Sequence, residues 1–352
     1  MNTEPLLPTV SLVVPCRNER QHIETCVRSL LAQEAPTGGY ELLVVDGMSD
    51  DGTRDILRYL AEDTPQLRVL DNPARNTPCA MNLGIQAARG RYIAIMGAHA
   101  RYAPDYIRQS VAVLEMTGAD NVGGAMICEA EGGWQEAIAA AHHSPFAVGG
   151  ARWHNPQYEG PADTVYGGVY RREVFECIGL FDETLMRNQD DELNLRLLRA
   201  GGTIWQSPCI KSWYSPRRSL WALFQQYRQY GYWKARVMQK HKLPASIRHV
   251  VPGGFVFALL TLPVFGLWWA PAWWGWLGLV GIYSAGNVLA SALTAARWGW
   301  HLLPRLPLVF VCYHVSYGLG FLRGMWDFII CRRRPGASYE RLTRPTAKQS
   351  PS

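Results

Sequence analysis

Several familiar signatures are missing from this chain of 352 residues. Its eight cysteines form no CxxC pair, which speaks against a zinc site and a disulfide framework and leaves reduced, mostly buried thiols. Neither GxGxxG nor GxxxxGK[ST] occurs, so neither a dinucleotide fingerprint nor a P-loop is available. The opening "MNTEPLLPTV" has no basic n-region and no apolar h-region, does not read as a secretory signal, and leaves the soluble part expected in the cytoplasm. Charge is scarce in one stretch: residues 249–330 hold only Arg297, Arg305, Arg323 and Asp327. Acids are absent from another, since 211–249 contain nine Lys or Arg and no Asp or Glu. A soluble unit joined to a membrane unit follows. The tail from Cys331 carries net +5 of the chain's formal +6. Basic charge therefore brackets the apolar region, as for segments facing an anionic leaflet, and does not point to nucleic acid.

What is present alternates. The apolar runs "VSLVVP" (10–15), "ELLVVD" (41–46), "LRVL" (67–70) and "RYIAIM" (91–96) predict strands, and the segments between them have helical spacing. Such βαβ units predict an α/β fold with a mostly parallel sheet, whose ligands sit beyond the carboxyl ends of the strands. Those ends read "PCRNE", "DGMSDDGT", "DNPARN" and "GAHARY". Further on, "NQDDELNLRLLRAGG" (188–202) predicts a helix with acids at its start and Gly-Gly as its stop. The aromatic and basic segment 220–247 suits an amphipathic helix in the membrane interface. Three apolar segments follow, about 249–269, 272–293 and 306–330, the first two joined by a turn crowded with Trp268, Trp269, Trp273, Trp274 and Trp276. Two crossings with a re-entrant third segment and three full crossings both fit, because a third crossing would put Arg332–Arg334 on the far side. The expected division is a soluble domain 1–219, an interfacial linker 220–247, a membrane region 248–330 and a basic cytoplasmic tail 331–352.

"VSLVVPCRNER", "ELLVVDGMSDDGT", "AMNLGIQAARGRYIAIMGAHARYAPDYI" and "NQDDELNLRLL", in this order, resemble family 2 glycosyltransferases of the GT-A fold. The segment "YSPRRSLWALFQQYRQYGYWKAR" before the apolar helices resembles the exopolysaccharide branch of succinoglycan glucosyltransferases. The resemblance implies a nucleotide-diphosphate sugar as donor, UDP-glucose by analogy, with Pro15, Arg17, Asn18, Glu19, Asp46, Asp51 and Asn82 around the donor and Asp46 on the base. Gly47 stands where an acid is usual. Asp50, Asp51 and Thr53 can instead simply cap the helix that starts near 53.

The family's DxD site aligns with Gly97-Ala98-His99. An imidazole can bind Mn²⁺ better than the harder Mg²⁺, so the resemblance makes His99 the metal or diphosphate ligand, with Arg101 able to meet phosphate directly; a satisfied loop histidine is the bland alternative. "QDDEL" matches the family's "EDxEL" with Gln189 for Glu, implying Asp190 as general base, Glu192 as its companion and Asp191 as a further candidate. Asp190 as an N-cap competes with that role. Gln225, Gln226 and Arg228 echo a donor-closing motif, yet with Arg217 and Arg218 they can equally meet lipid phosphates. The expected activity is inverting hexosyl transfer to a polyprenyl-diphosphate-linked saccharide at the inner face of the plasma membrane. The competing expectation is a catalytically silent relative that scaffolds a polysaccharide assembly complex, since Gly47, Gly97 and Gln189 all replace acids. A processive synthase is disfavoured by so few membrane segments.

Overall fold

The structure is a computed structural model that describes residues 7–242 and 246–340; residues 341–352 of the expected basic tail and 243–245 of the expected linker lie outside the described residues. Two compact units divide the chain. The first contains 7–127 and 152–215, the second 128–151 and 216–340 among the described residues.

Eleven strands form in chain order: β1 (Val10–Cys16), β2 (Tyr40–Asp46), β3 (Leu67–Asp71), β4 (Tyr92–Ile95), β5 (Ala100–Tyr102), β6 (Asn121–Gly124), β7 (Met126–Cys128), β8 (Gly160–Pro161), β9 (Tyr166–Arg171), β10 (Ile204–Gln206) and β11 (Ser212–Tyr214). The main sheet has the order β3-β2-β1-β4-β9-β6-β10-β8. Its β3, β2, β1 and β4 run parallel, joined by the helices Ile23–Leu31, Thr53–Glu62 and Thr77–Ala87. Strand β9 is antiparallel to both neighbours, β4 and β6, while β10 is parallel to β6 and antiparallel to β8. In the small second sheet β11 pairs antiparallel with β5, Trp213 opposite Arg101. Strand β1 is apolar almost throughout because helices cover both faces: Leu12 and Val14 belong to one buried cluster, Val13 to the other.

Residues 128–151 join the helical unit, which redraws the division expected at 219. The reason is apolar: the helix Gly133–His142 buries Ala137, Ile138, Ala140 and Ala141 among Leu302, Leu306, Val309 and Phe310 of the same unit. Three helices here are long and apolar enough to cross a membrane: Ile247–Phe265, Pro271–Trp298 and Leu306–Ile330. Helix Leu220–His241, capped by the Ser219 hydroxyl accepting from the Ala222 amide at 3.2 Å, lies along the third of them. Their backbones meet so closely that a Cβ at Gly231 would strike the Tyr317 carbonyl and one at Gly320 the Arg228 carbonyl.

Candidate active site

The loops after β1 and β2 are laced together. Asp46, the last residue of β2 and opposite Cys16 in register, has no exposed surface. Its carboxylate accepts from the Ser49 amide at 3.0 Å, the Ser49 hydroxyl, Arg54 Nη1 at 3.0 Å and, weakly, the Cys16 thiol at 3.8 Å. Those contacts take up the acceptor positions a carboxylate offers. Arg54 reaches on to Asp71 at 2.8 Å, so it ties the ends of β2 and β3 together. The Asn18 amide exchanges two bonds with Asp50, at 3.0 and 3.1 Å, from a left-handed backbone (φ 55°), and the Glu19 amide donates to the Thr53 hydroxyl at 2.9 Å.

Asp51 accepts from the Thr53 hydroxyl at 2.6 Å, the Thr53 amide at 3.0 Å and the Arg20 amide at 3.1 Å. Burial pushes its pKa up, but those three bonds outweigh it and hold the carboxyl below its ordinary range. The N-cap of the helix is Gly52, in the left-handed region at φ 98°, and Asp51 reaches over it to the first-turn amide. The helix-starting role weighed for Asp51 is therefore met in full by its observed bonds. Pro15 pairs with Val45 inside the sheet. Arg17 lies across Gly47: a Cβ there would stand 3.1 Å from both Cβ and Cδ of the arginine. Its Nη1 donates to the Arg75 carbonyl at 3.0 Å, and its buried Nε has no acceptor.

The end of β4 is built differently. The Gly97 amide donates to the Tyr102 hydroxyl at 2.6 Å, and that hydroxyl contacts the Gly97 carbonyl at 3.3 Å. Burial holds the Tyr102 phenol well above its ordinary range, so it stays a neutral clamp. Beyond Gly97, the His99 ring places Nδ1 3.4 Å from Glu19 Oε1, an ion-pair distance longer than a good hydrogen bond. It also meets Tyr214 of β11 edge to face, centroids 5.6 Å apart. A carboxylate facing Nδ1 is the arrangement usual behind a metal-ligating imidazole. Arg101 stacks on Trp213 at 4.0 Å from the ring centre. Among the described residues no three His, Cys, Asp or Glu side chains gather as a metal cage. One imidazole with a carboxylate behind it still suits a cation that completes its shell with diphosphate oxygens and water, and the imidazole suits Mn²⁺ better than Mg²⁺.

The helix Gln189–Arg199 starts on Asn188 as N-cap, in the left-handed region at φ 58° and without a side-chain cap bond. Asp190 is thus not the cap; it stands exposed in the first turn. Asp191 beside it is half-buried. Glu192 differs: it is fully buried and gripped by Arg196 Nε at 3.0 Å and Nη2 at 2.9 Å. Arg196 Nη2 also donates to the Leu180 carbonyl at 2.7 Å, so the pair anchors the helix to the preceding turn. The Asn82 amide does similar work, bonding the Phe181 carbonyl at 3.0 Å and the Glu183 carboxylate at 2.9 Å. One strand connects the two corners: Tyr166 of β9 lies by Gly97, while Tyr170 bonds Asn194 of the acidic helix at 3.1 Å. Burial, and then the nearby Asp190 charge, push the Tyr170 phenol upward.

Gln225, Gln226 and Arg228 belong to the helical unit. There Gln226 donates to the Tyr230 hydroxyl at 3.0 Å, and the Arg228 guanidinium lies 5.1 Å from the Tyr339 ring centre. Arg218 pairs with Glu131 at 3.1 Å, both exposed. Sequence reasoning missed Tyr102, Tyr166 and Tyr214, the aromatic frame of the His99 corner. The signal for Tyr166 was the "YGG" beginning β9, a glycine pair inside a strand pattern that marks a bulge.

Comparison with known proteins agrees with this architecture. Residues 11–179 match Glycosyl transferase family 2. The succinoglycan biosynthesis protein ExoA of Rhizobium meliloti (strain 1021) is 32% identical, over 95% of this chain and 99% of its own. A dolichyl N-acetyl-alpha-D-glucosaminyl phosphate 3-beta-D-2,3-diacetamido-2,3-dideoxy-beta-D-glucuronosyltransferase of Methanococcus voltae is 26% identical over 90% and 97%. Among solved structures, the mannosyltransferase PcManGT of Pyrobaculum calidifontis, in complex with GDP-Man and Mn²⁺, superposes with a TM-score of 0.58 at 19% identity, covering 91% of this chain and 88% of that one. The mixed sheet with its polar strand ends is accordingly a GT-A fold, and with a 32% identical relative matched almost end to end, the chain belongs to glycosyltransferase family 2.

Proposed function

We propose that the protein is an inverting hexosyltransferase that moves a sugar, glucose by analogy, from a UDP-sugar to a polyprenyl-diphosphate-linked saccharide in exopolysaccharide or related surface-glycan synthesis. The observation that carries this reading is the exposed Asp190 carboxylate on the first turn of its helix, in the same unit as the Glu19–His99 pair. Asp190 accepts the proton of the acceptor hydroxyl as that oxygen attacks the anomeric carbon from the side opposite the leaving diphosphate. Asp191 is its neighbour and second candidate. Glu192, through Arg196, fixes the helix that aims them.

On the donor side, Glu19 orients the His99 ring, and the Asp46–Arg54–Asp71 network sets the frame of the nucleoside slot formed by Pro15, Arg17, Asn18 and Asp51. A divalent cation, when bound at His99, supplies positive charge to the leaving diphosphate. The likeness to a transferase acting on a dolichyl-linked sugar supports a lipid-linked acceptor, and the full-length likeness to ExoA supports a place in surface-glycan synthesis. Three apolar helices support a multi-pass inner-membrane protein whose family 2 unit faces the cytoplasm, where such an acceptor is retained in the bilayer.

Membranes containing the protein, incubated with radiolabelled nucleotide sugars and lipid extract with and without Mn²⁺, should transfer label to lipid. Donor binding with no turnover in any extract would instead identify a silent scaffold of a glycan assembly complex, a reading that gains from Asp46 and Asp51 being bonded internally.

A further inference from the structure

A bulge in β9 determines what faces Gly97. Val122 of β6 pairs with Val169 and Gly124 with Tyr166, so two steps on β6 answer three on β9. The extra residue falls where Gly167 adopts φ 63°, a left-handed backbone that a residue with a Cβ adopts only under strain. Regular alternation would set Tyr166 on the face of Tyr170. The bulge turns it over: Tyr166 packs with Val169, Tyr102 and Tyr106 in one buried cluster, whereas Tyr170 lies in the other. The Tyr106 hydroxyl, bonded to the Gly167 carbonyl, holds the bulge in place.

Turned this way, the Tyr166 hydroxyl fills the space in front of Gly97. A Cβ on Gly97 would stand 3.3 Å from that oxygen, closer than side chains normally tolerate. Tyr166 is half-buried, and its ring lies 6.3 Å from Tyr214, which in turn packs against His99. A glycine at 97 and a bulge at 167 are thus two backbone concessions that bring one phenolic hydroxyl to the strand end where the donor reading places the nucleotide.

We infer that Tyr166 is a donor-binding residue whose hydroxyl hydrogen-bonds the nucleoside diphosphate at the Gly97 corner. This rests on the glycosyltransferase reading of that corner. A phenol, unlike a carboxylate, donates to an anionic oxygen and adds no negative charge beside the diphosphate, so its contribution does not need a metal to mediate it.

The test is calorimetric binding of UDP to the detergent-solubilised full chain, in EDTA and again with Mn²⁺, for wild type, Tyr166→Phe, Gly97→Ala and the double variant. Tyr166→Phe, which keeps the ring, should weaken binding about tenfold in both conditions with an unchanged thermal midpoint. Gly97→Ala should also weaken it, and less so in the Tyr166→Phe background, where the crowded oxygen is gone. If Tyr166→Phe binds UDP within about twofold of wild type in both conditions, the inference is overturned while the donor site stands. A wild type that binds neither UDP nor GDP overturns the donor-site reading as well.

Discussion

At the end of β2 several polar contacts converge on a fully buried Asp46, whereas at the end of β4, two strands away in the same sheet, a glycine, an imidazole and tyrosine hydroxyls do the polar work. The first corner has three acids, Asp46, Asp50 and Asp51, and all three are bonded within the laced loops after β1 and β2. The second has none of its own and borrows Glu19 from the loop after β1. A carboxylate bonded to four donors is a scaffold, and an imidazole facing one carboxylate is the chemistry of a metal-ligating corner. On the proposed reading, the difference teaches that the acid-rich stretch of this sequence builds the donor slot, while the acid-poor one supplies its reactive surface.

Breaking the second corner should cost activity, and breaking the first should cost stability. Between the two corners, the largest effect is expected from His99→Ala, which should lower sugar transfer about 10- to 100-fold and remove its dependence on Mn²⁺. Glu19→Gln should fall between that variant and wild type, the expected rank for a group acting through the imidazole; transfer assays over a Mn²⁺ titration check both. Asp46→Asn should leave Arg54 and Ser49 with a weaker acceptor and cost about 2 kcal/mol of stability, read as a lowered unfolding midpoint. Gly47→Ala presses on Cβ, Cγ and Cδ of Arg17 and should cost about 1 kcal/mol, relieved only in part when Arg17 is also shortened to Ala, because the Cβ contact remains.

The smallest effect belongs to Asp51 and fades as pH falls. Its carboxyl is held below its ordinary range in the folded protein, so the stability it contributes is present above the unfolded carboxylate pKa and is lost as pH falls through the depressed one. Asp51→Asn should therefore cost a little stability at neutral pH and flatten the acid limb of the stability profile, read as unfolding midpoints across an acid pH series.

Local pattern carried much of this into the sequence. The runs at 10–15, 41–46, 67–70 and 91–96 became β1 to β4 within a residue or so, because strands covered on both faces read as continuous apolar runs. The acidic helix ends near Gly201 (φ 86°), within the predicted Gly-Gly stop. What was not legible depends on partners distant in sequence. Nothing local says that Glu192 closes on Arg196 and the Leu180 carbonyl, while Asp190, two residues earlier, stays exposed. Equally, the face that Tyr166 presents is decided by the φ of Gly167, and the destination of 128–151 by an alanine face whose cover lies more than 150 residues away. The third apolar helix was ambiguous in sequence for a related reason. Half of it is buried within its own unit, so lipid is not its only neighbour.

The most direct measurement pairs donor binding with transfer in one preparation of Asp190→Asn. The expected result is UDP binding within about twofold of wild type and transfer to lipid reduced by about a thousandfold, as removal of a general base from an intact donor site requires. Transfer that persists at the wild-type rate in Asp190→Asn would contradict the assignment of Asp190 as the base and, with it, the proposed mechanism.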